Sequence, residues 1–337
     1  MRKPDFSNLL AVLQRQVPSR ATLFEFFLNT PLYQKLAMVD QSPAYGSRAW
    51  YQMLFTAFKN AGYDYATLHG SQFGFPTRAV AHKASRSMND TAIISDRASF
   101  EAYAWPDPDA FDYSILDTAK ADLPEGMKLI AYGAGGVLEN VMALVGYEQL
   151  CFLLCDDPAL VDDIFTAVGS RFVRYYEICA AFDAVGALIS NDDWGFNSQT
   201  MLSPDDLRQY VFPWHKRIVE VIHAAGKPAI LHSCGNLDAV MDDIIDDMRF
   251  DGKHSYEDKI CPVETAYDRW SGRIAILGGI DLDFVCRSAP TEVTARSRAM
   301  LARSAHRGGY ALGTGNSVPE YVPDENYFAM TKAVLES

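Results

Sequence analysis

The chain has 337 residues, 49% of them hydrophobic, and a formal net charge of −13 at neutral pH. Clustered Lys and Arg are needed to neutralise a phosphate backbone, so this acidic balance argues against a nucleic-acid partner. No run approaches the roughly 20 apolar residues of a membrane span, and no signal peptide follows the charged start, so we expect a cytoplasmic protein. The six scattered cysteines fit reduced thiols better than a disulfide framework.

Eight short apolar runs, separated by segments of helical periodicity, predict parallel strands that alternate with helices. In chain order the predicted strands are Ala21–Phe27, Tyr63–His69, Met127–Tyr132, Ala184–Ser190, Pro228–His232, Phe250–Tyr256, Arg273–Gly278 and Gly309–Leu312. Eight such units favour an α/β fold that closes as a single (β/α)8 TIM-type barrel, with residues 1–337 as one domain. An open doubly wound sheet is the alternative, although no dinucleotide-binding glycine fingerprint follows the first strand.

The helix that precedes the strand Pro228–His232 has the clearest signals. Ser203 offers an N-cap, Pro204 takes the first helical position, and an apolar stripe with spacings of three and four follows. Gly226 favours an end to this helix. Four histidines in predicted helices or irregular surface are assigned no function: His82, His215, His223 and His306.

Active-site side chains of a TIM-type barrel lie at the carboxyl ends of its strands. One strand ends in His232-Ser233-Cys234, and residues two apart on an extended segment project to the same face. Imidazole and thiolate are ligands that zinc prefers, so His232 and Cys234 are predicted metal ligands. The alternative is a packed strand-end histidine beside a buried cysteine.

Other strand ends also carry polar residues. Asp193, the second of two adjacent acids, could act as a metal ligand or general base, or could cap a helix. Strand alternation places His254 and Tyr256 on one side of the next strand, with Ser255 and Glu257 on the other. Five strand-end side chains are predicted to be catalytic: His69, Asp193, His254, Glu257 and Asn316. Apart from Glu257, these side chains are expected to open onto one cavity together with His232.

The stretch Asn191–Asn326 resembles the uroporphyrinogen decarboxylase superfamily. The resemblance is carried by D-D-W-G, L-H-S-C-G-N, L-G-G-I-D and the ending G-T-G-N-S-V-P-E-Y-V-P-D-E-N. That superfamily contains metal-free decarboxylases of porphyrinogen side chains and methyltransferases that work with corrinoids. The H-x-C pair is similar to the zinc ligands of the methyltransferases, which implies that zinc at His232 and Cys234 holds a thiol as thiolate. It also implies a small-molecule substrate and a corrinoid carried by a partner protein.

Two departures from the family patterns qualify these implications. The methyltransferases have a third ligand in a G-C-G motif, where this chain has Asn316. The resemblance then implies that Asp193 or Glu257 supplies an oxygen ligand, or that metal is held loosely or lost. The arginine-containing decarboxylase motif is absent, and the stretch His69-Gly70-Ser71-Gln72, which stands where decarboxylases have F-S-D-I, contains no aspartate. We therefore predict a methyltransferase, with a uroporphyrinogen decarboxylase-type lyase acting on a tetrapyrrole as the first alternative and a non-catalytic binding barrel as the second.

Overall fold

The computed structural model describes residues 2–78 and 89–336, and its sheet contains seven parallel strands in the order β1 to β7. Each strand overlaps a run that was predicted from the sequence. The bounds are β1 Tyr65–His69, β2 Lys128–Tyr132, β3 Val185–Asn191, β4 Ala229–His232, β5 Gly252–His254, β6 Ala275–Leu277 and β7 Tyr310–Ala311. The α/β class and the parallel sheet are therefore confirmed.

The first predicted strand, Ala21–Phe27, is not a strand of the sheet in the described residues. It runs beside the end of β7, where the amide of Phe24 donates to the carbonyl of Leu312 at 2.8 Å. Toward β1 the contact is made by a side chain, because the Thr67 hydroxyl donates to the carbonyl of Phe26 at 2.5 Å. The observed architecture is a curled sheet of seven parallel strands with this extended segment beside its last strand.

Helices connect the strands and cover the sheet, as right-handed βαβ units require. Their bounds are α1 Ser7–Leu13, α2 Thr30–Ala37, α3 Arg48–Ala61, α4 Arg97–Ala102, α5 Ile115–Asp122, α6 Val137–Val145, α7 Tyr147–Asp156, α8 Pro158–Ala180, α9 Pro204–Asp206, α10 Phe212–Ala224, α11 Val263–Trp270, α12 Leu282–Arg287, α13 Pro290–Ser304 and α14 Asp324–Leu335. The predicted cap of α9 is confirmed, since Ser203 accepts a hydrogen bond from the amide of Asp206. Among the described residues, no single helix has the length and apolar character to cross a bilayer, and only the pair α6 and α7, bent by 93°, meets both criteria together.

Aromatic rings fill the interior of the curled sheet below the carboxyl ends of the strands. Phe24 lies 5.1 Å from the ring of His254, and Phe26 lies 4.6 Å from the ring of His232. Phe26 also meets Tyr132 edge to face at 4.8 Å. These rings form an apolar floor that supports the polar strand ends above it.

Two glycines let the loops after β3 and β4 touch. Gly235 has a φ of +90°, a backbone conformation that L side chains rarely adopt. A Cβ on Gly235 would lie 2.1 Å from the carbonyl carbon of Gly195, so any larger residue would push the loops apart. This close approach of Gly195 and Gly235 holds the loop after β3 against the loop after β4, where the candidate site lies.

Candidate active site

Three potential metal ligands converge where β3 and β4 end. The ligand atoms of Asp193, His232 and Cys234 all lie within 4.8 Å of one another. The sulfur of Cys234 is 3.8 Å from Nε2 of His232, and the Cys234 amide donates to Oδ1 of Asp193 at 2.8 Å. The structure thus places His232 and Cys234 on one face, as strand alternation predicted, and adds Asp193 from the neighbouring strand.

The Cys234 sulfur accepts hydrogen bonds from two residues of other loops. Nδ2 of Asn316 lies 3.3 Å from the sulfur, and the Ser255 hydroxyl lies 3.5 Å from it. Oδ1 of Asn316 instead accepts the amide of Ser317 at 2.8 Å, so the amide oxygen is turned away from the sulfur. Asn316 therefore contacts the site as a hydrogen-bond donor to sulfur.

His254 lies beneath His232 and does not reach the surface. Nδ1 of His254 is 2.8 Å from Nδ1 of His232, and Nε2 of His254 is 3.4 Å from the carbonyl oxygen of Thr314. Burial lowers the pKa of His232 well below its usual value and that of His254 to about 3. The expectation that His254 opens onto a cavity is wrong, because its exposed fraction is 0%.

Strand β5 ends at His254, and the predicted alternation fails at the next residue. Ser255 has a φ of +147°, so its hydroxyl turns toward Cys234. Lys253 is buried and donates to the carbonyl of Ser255 at 2.7 Å, and its ammonium lies 4.4 Å from the ring centre of Tyr256. Burial lowers the pKa of Lys253 to about 8. The lysine thus secures the backbone that presents Ser255 to the sulfur.

Two of the predicted catalytic residues lie apart from this cluster. His69 packs against Tyr132 with ring centres 4.1 Å apart, and the ring contacts lead from Tyr132 through Phe26 to His232. Glu257 lines a neighbouring cavity of about 190 Å³ and is not in the group of potential ligands. In place of the single cavity expected from the sequence, the structure has a compact group of five side chains: Asp193, His232, Cys234, His254 and Asn316.

Sequence reasoning missed a buried acid–histidine pair behind the cluster. Nε2 of His215 lies 2.8 Å from Oδ2 of Asp192, and the Ser190 hydroxyl is 3.0 Å from its Nδ1. His215 lies in helix α10, as predicted, but it and Asp192 are both fully buried, and their pairing was not predicted. A signal was present, because His215 follows Val211 by four residues on the apolar stripe of its helix. Of the other histidines assigned no function, His82 lies outside the described residues.

Three carboxyl groups lie close together beside the cluster: Glu139, Asp192 and Asp193. Asp192 accepts two amides at the start of α6, including that of Glu139 at 2.9 Å. Burial and the charges of Asp192 and Asp193 raise the pKa of Glu139 to about 8, and burial also raises the pKa of Asp193. The raised pKa values of Glu139 and Asp193 mean that a bound cation or proton would stabilise these two carboxyls.

The fold and these strand-end residues define a member of an α/β enzyme class with its site at the carboxyl edge of a parallel sheet. The chain belongs to the uroporphyrinogen decarboxylase (URO-D) family, whose model matches residues 73–337.

Both predicted branches occur among similar proteins. A uroporphyrinogen decarboxylase of Anaeromyxobacter dehalogenans (strain 2CP-C) is 25% identical over 72% of this chain and 68% of its own length. A methylated-thiol–coenzyme M methyltransferase of Methanosarcina mazei is 25% identical over 58% of this chain, and the match spans 49% of that relative. A solved methyltransferase structure from Methanosarcina mazei covers 98% of both chains with a TM-score of 0.68 at 14% identity, which shows a shared fold.

Proposed function

We propose that this protein is a metal-assisted methyltransferase that moves a methyl group between a methylated corrinoid, or a small methyl donor, and an acceptor at the carboxyl edge of the sheet. The observation that carries the proposal is the convergence of Asp193, His232 and Cys234 within 4.8 Å. An oxygen, a nitrogen and a sulfur donor suit zinc, and three protein ligands are the usual number at a catalytic zinc site with an open position. The residues present therefore fit the metal.

A bound zinc ion would supply Lewis acidity and keep an acceptor thiol deprotonated near neutral pH. The protein's own residues would prepare this position. Asn316 and Ser255 donate to the Cys234 sulfur, and Asp193 takes the Cys234 amide, so the sulfur is held in one place. A methylated corrinoid would supply the methyl group and keep the electron pair of its carbon–cobalt bond, and the acceptor thiolate would form the new bond to carbon.

The proposal also covers the domain organisation of the protein, its partner and its location. Residues 1–337 would act as one domain, in which the segment Ala21–Phe27 closes the sheet as the eighth strand of a (β/α)8 barrel. The methylated corrinoid would be carried by a partner protein, and the enzyme would work in the cytoplasm. The hydrogen bond from Phe24 to Leu312 supports this closure on the β7 side.

Decarboxylation of a tetrapyrrole is the competing function, and the match to a uroporphyrinogen decarboxylase supports it as the alternative. An octacarboxylate substrate needs several guanidinium groups for bidentate recognition. Among the described residues, the hydrogen bonds and ring contacts of His232, Cys234 and Asn316 involve no arginine. This local chemistry supports methyl transfer over decarboxylation.

The test combines the two activities in one experiment. Zinc-loaded protein is incubated with methylcobalamin and coenzyme M or a simple alkanethiol, and the corrinoid spectrum and methylated thiol are followed. In parallel, the protein is incubated with uroporphyrinogen, and loss of carboxylates is measured. We expect methyl transfer that requires Cys234. Decarboxylation without methyl transfer would overturn the proposal in favour of the lyase.

Replacing Asn316 tests how this chain departs from the pattern of one histidine and two cysteines that the resemblance implies. Nδ2 of Asn316 is 3.3 Å from the Cys234 sulfur, so Asn316→Cys would bring a second thiolate to the same group. We expect zinc affinity to rise by at least about tenfold, because a direct thiolate should outweigh the changes that outer partners make. Competition with a chromophoric chelator measures this affinity. Asn316→Ser is the matched control, and equal affinities in the Cys and Ser variants would show that position 316 does not face the metal.

A further inference from the structure

His232 and His254 form an imidazole pair whose hydrogen bond has a definite direction. Their Nδ1 atoms are 2.8 Å apart, so one ring must donate a proton and the other must accept it. Phe26 packs on His232 at 4.6 Å and Phe24 on His254 at 5.1 Å, which limits rotation of either ring. The direction of this bond decides which nitrogen of His232 is left without a proton.

The surroundings of His254 settle that direction. Its Nε2 is 3.4 Å from the carbonyl oxygen of Thr314, and a carbonyl only accepts, so Nε2 of His254 carries a proton. Thr314 is fixed in turn, since its amide donates to Oε1 of the buried Glu25 at 2.6 Å. A fully buried imidazole that contacts a carbonyl and another imidazole is neutral. Its Nδ1 therefore has a lone pair and accepts from Nδ1 of His232.

The consequence appears at the other side of His232. With its proton on Nδ1, His232 has a bare Nε2, and this nitrogen lies 3.8 Å from the Cys234 sulfur. Only a nitrogen with a free lone pair can bind a metal ion, so the opposite tautomer would turn an N–H toward Asp193 and Cys234. The tautomer imposed by the pair is the one that a metal site requires.

We propose that His254 is a positioning residue that fixes His232 in the tautomer whose bare Nε2 faces Asp193 and Cys234; this inference rests on the metal-assisted function proposed above. Histidine ligands usually have a carboxylate, carbonyl or water as the acceptor behind them. Here His254 of β5 is the acceptor behind His232, and the carbonyl oxygen of Thr314 fixes the tautomer of His254. The site thus depends on a residue that never touches the metal.

Two variants separate this role from simple packing. His254→Leu removes the acceptor, whereas His254→Asn leaves an amide oxygen near the position of Nδ1. Imidazole ¹⁵N chemical shifts of metal-free protein report the tautomer of His232, which is assigned by comparison with a His232 variant. We expect the Nδ1-protonated form in the wild type and in His254→Asn, and a shift toward the Nε2-protonated form in His254→Leu. A wild-type His232 protonated on Nε2 would overturn the proposal, and this measurement does not depend on whether the Leu variant folds.

Zinc affinity, measured by chelator competition, gives the second readout. We expect His254→Leu to bind zinc about 10- to 100-fold more weakly than the wild type, and His254→Asn to recover most of the loss. Tight and equal zinc binding by all three proteins would overturn the role of His254 and leave the proposed function standing. A wild type with the expected tautomer that fails to bind zinc would instead overturn the metal in the proposed function and support the tautomer assignment.

Discussion

Cys234→Ser is expected to lower the zinc affinity of the purified protein by at least about 100-fold, because the loss of outer partners alone typically costs 10- to 100-fold. The substitution removes the softest of three potential ligands, and Ser is a poor zinc ligand at neutral pH. The measurement is metal content after zinc loading and desalting, together with chelator competition. Methyl transfer from methylcobalamin should fall in parallel.

Cys286→Ser is the matched control for this change. Cys286 is half-buried, as Cys234 is, but it lies in α12 away from the potential ligands. The control should keep the zinc affinity and the activity of the wild type. A wild type that carries no metal after zinc loading, or a Cys234→Ser protein that binds zinc as tightly as the control, would contradict the assignment of Cys234 as a ligand.

Glu25→Gln is expected to change how the stability of the protein depends on pH. Glu25 is fully buried; Oε1 accepts the amide of Thr314 at 2.6 Å, and Oε2 lies 2.7 Å from the Thr314 hydroxyl. Burial raises the pKa of Glu25 from 4.5 to about 8, so the folded protein keeps this carboxyl protonated at neutral pH. The unfolded chain releases the same proton near pH 4.5.

The direction in which stability changes with pH follows from the number of protons that the folded and unfolded states bind at Glu25. Between about pH 4.5 and 8 the folded state binds one more proton at Glu25 than the unfolded state, so stability falls as pH rises. The slope is about 1.4 kcal/mol per pH unit, which amounts to about 4 kcal/mol between pH 5 and pH 8. Gln cannot ionise, and its amide can donate to the Thr314 hydroxyl. The variant should therefore gain stability relative to the wild type as pH rises.

Urea unfolding at a series of pH values measures this effect as the difference between variant and wild type. Glu320→Gln makes the same change on an exposed side chain and should leave the difference near zero at every pH. If Glu25→Gln and Glu320→Gln gave the same pH profile, Glu25 would not hold a proton in the folded state.

The sequence predicted much of the fold because its signals are local. Parallel strands that are covered by helices need continuous apolar runs, and all seven observed strands overlap such runs. The first run, Ala21–Phe27, has the same character but reaches the sheet through backbone hydrogen bonds of Thr22 and Phe24 to Leu312 and through side chains of β1. Whether a run pairs as a strand depends on the backbone that lies beside it, which no local pattern records.

The candidate site was predicted in the same uneven way. Strand alternation placed His232 and Cys234 on one face, since both lie at the end of one strand. It failed at Ser255, because a φ of +147° is a property of the turn that β5 makes and not of serine. The sequence did carry a signal for the buried Glu25, which is a single charged residue within the apolar run Ala21–Phe27.

By itself, then, the sequence determined the α/β class, the order of the strands and the H-x-C pair, because these depend on residue type and on spacing within single elements. Only the tertiary structure decided that Asp193 joins this pair, that Asn316 turns its amide nitrogen to the sulfur, and that His254 lies beneath His232. Those contacts join residues 22 to 82 positions apart. The physical reason is that the curl of the sheet brings the ends of separate strands together, and side-chain direction there depends on neighbours that are distant in the chain.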